Sequence, residues 1–243
     1  MISFAAVAPH GDVDEVPELV DAMEELGRRL AAAAAESVVV VSPHTVHVEG
    51  HYAVVVAARV GRFETDRGLA AALVDAIRTA GLPVVGVSYG GNDPLEAELP
   101  LDWGTEVPLR FLPAERIVLV APARDRRLEE HVELGGVVAR ATGDRRVALV
   151  ASADHGHAHD PDGPYGFDPA AAAYDARMLE ILRSPWLDFM PLAETVGQAK
   201  ADSLWQLLVL QGAVGEAARA DLLAYAVPSY YGMAVAAVSV PGA

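Results

Sequence analysis

The sequence predicts a single α/β domain over residues 1–243, with a mixed central sheet and helices on both faces. Short apolar runs, rich in β-branched residues, alternate with longer segments whose apolar residues recur every three or four positions. Such alternation of strands and helices is typical of α/β folds. The chain is 52% hydrophobic, which is enough for a large core, and no repeat or low-complexity linker divides it.

Continuous apolar runs predict the strands. Residues 38–41 are all valine, as expected of a strand that is covered on both faces. The last two strands are predicted to form a closing pair joined across residues 229–232. The full set of predicted strands is 4–8, 38–41, 52–60, 84–87, 117–121, 147–151, 225–228 and 233–240.

Helical spacing of apolar residues predicts helices at 13–35, 69–80, 128–141, 169–182 and 199–214. Asp12 or Asp14 could cap the start of the first helix. The last helix is apolar on most sides and is therefore predicted to be buried. Residues 90–100 and 155–166 are the longest predicted irregular stretches, and loops of that length are often functional.

Composition excludes several classes of function. The formal net charge is −16, which argues against nucleic acid and anionic membranes as partners, because both require a basic surface. The chain has no cysteine, so disulfides, thiolate metal sites and cysteine nucleophiles are excluded. It lacks a basic segment before its first apolar run and lacks an apolar stretch of membrane-spanning length, so we expect a cytoplasmic protein.

Histidines follow two of the predicted strands in the same local pattern. His10 comes after Pro9 at the end of the first strand, and His44 comes after Pro43 at the end of the second. Proline restricts the backbone and so orients the next side chain reproducibly, and open α/β sheets bind ligands at strand ends. A single such histidine would more often bond to a backbone carbonyl, but the repeated pattern predicts a shared metal site.

A third cluster follows the strand at 147–151, with His155, His157 and His159 at alternate positions. In an extended segment these three side chains would lie on one side, and Asp154 could orient one of the rings. The alternative is a flexible polar loop. Of the other histidines, His47 is predicted at a solvated strand edge, His51 at a pocket or the surface, and His131 at the surface.

One carboxylate lies within the apolar helix predicted at 199–214. Asp202 is costly to bury unless it is paired or binds a metal, although it could instead mark an exposed edge of that helix. With two histidines it would complete the facial triad found in non-haem Fe(II) enzymes. The alternative carboxylates are Asp102, Glu106 and Glu194.

Other catalytic motifs are weak. Residues 90–94 are typical of a turn and not of a phosphate-binding loop, because no helix pattern follows them. Ser42 and Ser152 lie near histidines, but neither is in the Gly-x-Ser-x-Gly turn of serine hydrolases.

Taken in order, these motifs resemble the class III extradiol ring-cleavage dioxygenases of the protocatechuate 4,5-dioxygenase β-subunit type. The resemblance covers essentially the whole chain. It depends on Pro9-His10, Ser42-Pro43-His44, the segment 101–109 that begins Leu-Asp-Trp-Gly-Thr-Glu, Ser152-Ala-Asp-His-Gly-His157, and the late segment 202–213. Each motif alone is short, but their order and spacing are specific.

The resemblance implies roles for individual residues. His10 and His44 would bind Fe(II), with Asp202 in place of the usual glutamate as third ligand. His157 would be the acid/base, with His155 as the other catalytic candidate. Contacts with substrate are expected from Trp103, which stands where relatives often have histidine, and from Thr105, His159 and His51.

The resemblance further implies a cytoplasmic enzyme that cleaves the ring of a small aromatic diol with O2. Fe(II) is the expected cofactor, with Zn(II) or Mn(II) as alternatives, and a homo-oligomer is expected, with or without a small α-type subunit. The alternatives are a zinc-dependent relative or hydrolase that uses the same histidines, and an inactive Memo-like binding protein.

Overall fold

An eleven-stranded mixed sheet runs through the computed structural model, which describes residues 1–90, 93 and 96–240. Its strands are β1 (Ile2–Ala8), β2 (Ser37–Val41), β3 (Tyr52–Val55), β4 (Arg59–Val60), β5 (Phe63–Thr65), β6 (Val84–Val87), β7 (Glu98–Leu99), β8 (Arg116–Ala121), β9 (Val147–Ser152), β10 (Arg219–Ala226) and β11 (Met233–Ser239). The α-helices are α1 (Pro17–Ala33), α2 (Arg67–Thr79), α3 (Trp103–Phe111), α4 (Leu128–Ala141), α5 (Pro169–Arg183), α6 (Val196–Ala199) and α7 (Leu204–Val214).

The centre of the sheet is parallel and its ends are mixed. The order is β10-β11-β1-β9-β2-β8-β5-β4-β7, with β3 paired to β8 and to β6. β1, β9, β2 and β8 are parallel, whereas β11 is antiparallel to β1 and β10 is antiparallel to β11. The predicted closing pair of strands is confirmed as an antiparallel pair, but its first strand begins at Arg219 and ends at Ala226 and not at the predicted 225–228.

Alternate residues of each central strand enter two separate cores. Val39 and Val41 pack in the core that α2, α4, α5 and α7 cover, whereas Val38 and Val40 pack in the core that α1 and α3 cover. Burial of both faces explains the run of four valines at 38–41 in β2. The predicted single α/β domain, with a mixed sheet and helices on both faces, is confirmed.

Several predicted boundaries differ from the structure. The strand predicted at 52–60 is two strands, β3 and β4, and the helix predicted at 13–35 begins with the short 3-10 turn Val13–Glu15. Neither Asp12 nor Asp14 caps α1, because Val16 holds the cap position and Pro17 starts the helix. Of the turn predicted at 90–94, residues 91, 92 and 94 lie outside the described residues.

The surface position predicted for His131 is wrong. His131 is fully buried, and its Nδ1 lies 3.1 Å from the carbonyl of Arg127 and 3.5 Å from the hydroxyl of Tyr52. It shares a face of α4 with Leu134, one turn on, and that face packs against the core. Burial lowers the pKa of His131.

Within the described residues, none of the helices combines the length and the apolar character that crossing a membrane would require.

Candidate metal centre and active site

Three parallel strands bring the histidine-bearing loops to one edge of the sheet. β9 lies between β1 and β2, and Ala151 of β9 is level with Val7 of β1 and Val41 of β2. His10 comes three residues after Val7, and His44 comes three residues after Val41. The two loops therefore leave the sheet at the same level along the strands. β11 is antiparallel to β1, and therefore the segment that precedes β11 reaches the same edge.

The side chains of His10, His44 and Asp202 meet at this edge. The Nε2 atoms of the two histidines are 3.1 Å apart, and Asp202 Oδ2 lies 3.3 Å from His10 Nε2 and 3.4 Å from His44 Nε2. Ligand atoms at adjacent positions of an octahedral ion are about 3 Å apart when each metal–ligand distance is about 2.1 Å. Asp202 Oδ1 is buried without a hydrogen-bond partner among the described residues. The cluster therefore fits a divalent cation.

Ser152, at the end of β9, fixes the tautomer of His10. Its hydroxyl donates a hydrogen bond to the carbonyl of Gly104 and lies 3.0 Å from His10 Nδ1. A hydroxyl has one proton to donate, so Ser152 accepts the Nδ1–H of His10. In the neutral ring, the form that binds a metal, the lone pair of His10 is then on Nε2, the atom that faces His44 and Asp202. Metal-binding histidines usually have an outer hydrogen bond of this kind.

Two carboxylates dominate the electrostatics around His10. Burial by itself would lower the pKa of His10, but Asp154 and Asp202 raise it to about 9. Asp154 Oδ2 lies 3.5 Å from His10 Nε2, and Asp154 Oδ1 accepts the backbone N–H of His10. Burial raises the pKa of Asp154; it acts in the same direction on Asp202, but His10 and His44 lower the pKa of Asp202. Asp154 thus contacts His10, and not a ring of its own segment.

Asp202 lies in a turn, which corrects the continuous helix predicted at 199–214. Lys200 has a left-handed backbone conformation, with φ of 54°, and ends α6, while α7 begins only at Leu204. Asp202 is 7% exposed, so its interpretation as an exposed helix edge is wrong. The break between the two helices presents the carboxylate to the ends of β1 and β2.

Asp102 holds the His44 loop against α3. It caps α3 by accepting the backbone N–H of Thr105. It also accepts hydrogen bonds from the hydroxyls of Ser42 at 2.9 Å, Thr45 at 3.0 Å and Thr105 at 2.9 Å. Asp102 therefore positions the loop and does not belong to the cluster of candidate ligands.

Trp103 and Gly104 shape the surroundings of His44. The rings of Trp103 and His44 are in contact and tilted relative to each other, with centroids 4.5 Å apart and an interplanar angle of 31°. A Cβ atom at Gly104 would lie 3.1 Å from the His44 ring and 2.6 Å from Ser42 Oγ, so a side chain there would displace the loop. The segment Asp-Trp-Gly therefore fixes the position of one candidate ligand.

The histidines at 155–159 have three different environments. His155 is fully buried, with Nδ1 3.0 Å from the hydroxyl of Ser203, and burial lowers its pKa to about 4. His159 Nε2 lies 2.8 Å from the carboxylate of buried Asp175. Only His157 of the three lines the cavity beside the metal cluster. Alternation along an extended segment predicted that all three rings would lie on one side. Instead, the rings of His155 and His159 are bonded to buried partners.

His157 is held so that one nitrogen is available. Its Nδ1 lies 2.6 Å from the carbonyl of His155, which can only accept, so Nδ1 is the donor and Nε2 has the lone pair in the neutral ring. Its backbone N–H donates to the carbonyl of Ala199, and its ring stacks on Tyr231 with centroids 5.4 Å apart. The bond at Nδ1 and the stacking on Tyr231 restrict rotation of the ring, and the backbone bond fixes the main chain that carries it.

A cavity of about 780 Å³ opens beside the cluster. Tyr165, Tyr230 and Tyr231 lie in ring contact and form an aromatic wall, and Trp103 lines the cavity beside His44. The remaining lining residues are His10, Gly11, Asp12, Asp14, Glu15, His44, Glu106, Val107, Arg110, Asp154 and His157. A cavity of this size can enclose a substituted benzene ring.

Three predicted substrate contacts lie elsewhere. Thr105 is fully buried and bonded to Asp102, His159 is bonded to Asp175, and His51 is exposed, with Nδ1 2.9 Å from the carbonyl of Glu49. None of these three side chains lines the cavity. Glu106 does line it, whereas Glu194 ends a 3-10 turn away from it.

Tyr230 and Tyr231 are site residues that no sequence motif predicts, and Ser152 supports His10 and is not the nucleophile considered above. The two tyrosines directly precede β11, whose antiparallel pairing to β1 brings them to the edge that holds His10. The rule that strand ends bind ligands could have found them, had the direction of the last strand been known.

The chain is similar over almost its whole length to a known protein family and to a solved structure. A family model described as the catalytic LigB subunit of aromatic ring-opening dioxygenase matches residues 4–239. Among solved structures, the uncharacterized protein JW3007 from Escherichia coli K12 shares the fold, with a TM-score of 0.68 and 18% identity over 97% of this chain and 99% of that chain. None of the curated proteins matches. The family match covers almost the whole chain, including both histidine loops and Asp202, and we conclude that this protein belongs to the family of catalytic LigB subunits of aromatic ring-opening dioxygenases.

Proposed function

We propose that the protein is a non-haem Fe(II)-dependent extradiol dioxygenase that cleaves the ring of a small catechol with O2. The observation that carries the proposal is the cluster of two histidines and one carboxylate beside an aromatic-walled cavity. Membership of the ring-opening dioxygenase family supports the same reaction class. Fe(II) held by His10, His44 and Asp202 would supply open coordination positions and the electron-transfer chemistry that a catechol and O2 require.

His157 is the proposed acid/base. Its Nδ1 is committed to a backbone carbonyl, so Nε2 can accept a proton from a catechol hydroxyl and later return it. Stacking on Tyr231 and the backbone bond to Ala199 hold the ring at the cavity wall. This orientation is prepared before substrate binds, which reduces the entropic cost of proton transfer.

The aromatic wall is proposed to bind the substrate ring. Trp103 contacts the ring of His44, lines the cavity and is 59% exposed to solvent, so its ring is accessible to a ligand. Tyr230 and Tyr231 contact each other edge to face, with centroids 4.8 Å apart. Offset and edge-to-face contacts with these rings would orient a planar substrate and exclude water. This wall favours a flat aromatic substrate over the peptide or ester of a hydrolase.

The proposal is tested by reconstituting the protein anaerobically with Fe(II), Zn(II) or Mn(II) and supplying a panel of catechols with O2. We expect Fe(II)-dependent O2 uptake, one O2 consumed per ring opened, and a product with the absorbance and mass of a muconic semialdehyde. Turnover of ester or amide substrates with Zn(II), and none of catechols with Fe(II), would support the hydrolase instead. Catechol binding without turnover on any metal would support an inactive binding protein.

A further inference from the structure

The charged residues around the cavity are almost all acidic. Asp12, Asp14, Glu15 and Glu106 are exposed at its mouth, and Asp154 is buried beside His10. Among the described lining residues, Arg110 is the one side chain with a permanent positive charge. Arg110 Nη1 is 2.7 Å from Asp14 Oδ2, so its charge is already paired.

The aromatic wall and the acidic mouth are joined by direct hydrogen bonds. The hydroxyl of Tyr231 donates to Asp12 Oδ2 at 3.0 Å and accepts the backbone N–H of Asp12 at 2.9 Å. Burial raises the pKa of Tyr231, so this phenol stays neutral and remains a donor. The aromatic residues that line the cavity therefore lie next to a carboxylate, a combination that attracts organic cations through both cation–π and Coulombic contacts.

The position of a bound catechol determines which of its atoms meets this mouth. The candidate metal ligands His10 and Asp202 are buried, at 4% and 7% exposure, whereas the four carboxylates at the mouth are exposed. If the two hydroxyls of the ring are held at the buried cluster, the substituent opposite them extends outward between the acidic residues and the tyrosines. A carboxylate there would face like charges and find no unpaired guanidinium among the described residues that line the cavity.

We propose that the preferred substrate is a catechol whose side chain carries a positively charged amine and no carboxylate. This inference rests on the proposed function, because it assumes that the hydroxyls of the substrate point to the metal cluster. The acidic mouth and the tyrosine wall attract the ammonium group, and the same mouth repels acidic catechols. The preference is electrostatic, so it weakens as salt screens exposed charges.

The test uses three catechols of similar size: 4-(2-aminoethyl)catechol, neutral 4-ethylcatechol, and 3-(3,4-dihydroxyphenyl)propionate. Anaerobic calorimetry with the Fe(II)-loaded protein measures binding, and O2 uptake measures kcat/KM. We expect the amine to bind best and the propionate worst, with about a tenfold or larger difference between them at low ionic strength, shrinking in high salt.

Two substitutions test how individual carboxylates at the mouth contribute to the preference for the amine. Glu106→Gln should reduce the preference for the amine. Asp14→Asn should raise the affinity for the propionate more than the affinity for the other two catechols, because it releases Arg110 from its ion pair. The matched control is Glu64→Gln, which removes an exposed carboxylate that does not line the cavity and should leave the preference as in the wild type.

The outcomes distinguish this inference from the proposed function. If 4-ethylcatechol is cleaved but the propionate binds and reacts as well as the amine, the substrate inference is overturned and the dioxygenase proposal stands. If none of the three is cleaved and calorimetry still ranks the amine first, the proposed function fails and the cationic preference of the cavity stands. A preference for the amine that neither salt nor Glu106→Gln reduces would also overturn the electrostatic inference.

Discussion

Two groups of histidines reach the same edge of the sheet, and they are held in opposite ways. His10 and His44 come from separate strands 34 residues apart, and their Nε2 atoms meet at 3.1 Å with Asp202 beside them. His155 and His159 are neighbours of His157, yet each is bonded to a different buried partner. Parallel strands in fixed register bring distant residues to one point, whereas hydrogen bonds from other elements separate neighbouring residues.

The largest expected effect comes from removing either converging histidine. His10→Ala and His44→Ala should weaken metal binding by more than about 100-fold, because loss of an outer partner alone costs about 10–100-fold. Ring cleavage should fall to background. Metal content after dialysis is the measurement, and His47→Ala, which removes an exposed histidine from the same loop, is the control. Full metal occupancy in His44→Ala would show that the metal lies elsewhere and that the two histidines do not share it.

Substitution of Asp202 should have the second-largest effect on metal binding. Asp202→Ala should keep the fold and lose most of the bound metal, since it removes the one carboxylate in the cluster. Asp202→Glu should keep the metal and improve Fe(II) binding, because it restores the side chain usual in the family that the sequence resembles. Circular dichroism and metal analysis check the two variants. Unchanged metal content in Asp202→Ala would transfer the role to Asp154, whose Oδ2 is 3.5 Å from His10.

Substitution of His157 tests the roles of the histidines at 155–159. His157→Ala should lower kcat by about 10²–10⁴-fold, the usual contribution of a general acid/base, while the metal stays bound. His159→Ala should lose less rate and more stability, because its ring contacts Asp175 and not the cavity. Steady-state kinetics with parallel metal analysis separates these effects. Loss of metal in His157→Ala would make it a ligand, and full activity would remove it from the mechanism.

The smallest effect concerns the pH dependence of stability. Burial lowers the pKa of His155 from 6.5 to about 4, so between these values the unfolded chain binds a proton that the folded protein excludes. Stability should therefore fall as pH decreases from 6.5 to 4, by at most about 3 kcal/mol from this residue. His155→Asn keeps a donor near Ser203 and does not titrate, so its stability should fall less. Urea unfolding of metal-free protein across this range measures the difference, and parallel curves for the two proteins would contradict the assignment.

The parts of the molecule that depend on local pattern were predictable. The strands at β1, β2 and β9 follow from continuous apolar runs, and the Pro-His pattern marks the two loops that converge. Burial of α7 follows from its apolar character on most sides. Each of these features depends on residues that are close together in the sequence.

The parts that depend on distant contacts were not predictable. The helix break that presents Asp202 results from the left-handed conformation of Lys200, a non-glycine residue that carries no sequence signal for it. The partners of His155 and His159 come from residues 203 and 175, on other elements. Tyr231 reaches the site only because β11 is antiparallel to β1, and strand direction is not encoded in apolar periodicity.

The most direct test of the central claim is the position of the metal. Crystals of the protein reconstituted anaerobically with Fe(II) should give one anomalous peak at the iron edge, about 2.0–2.2 Å from Nε2 of His10, Nε2 of His44 and a carboxylate oxygen of Asp202. His157 should lie outside the coordination sphere, with Nδ1 still bonded to the carbonyl of His155. A peak coordinated by His157, or an iron bound away from the ends of β1 and β2, would contradict the account.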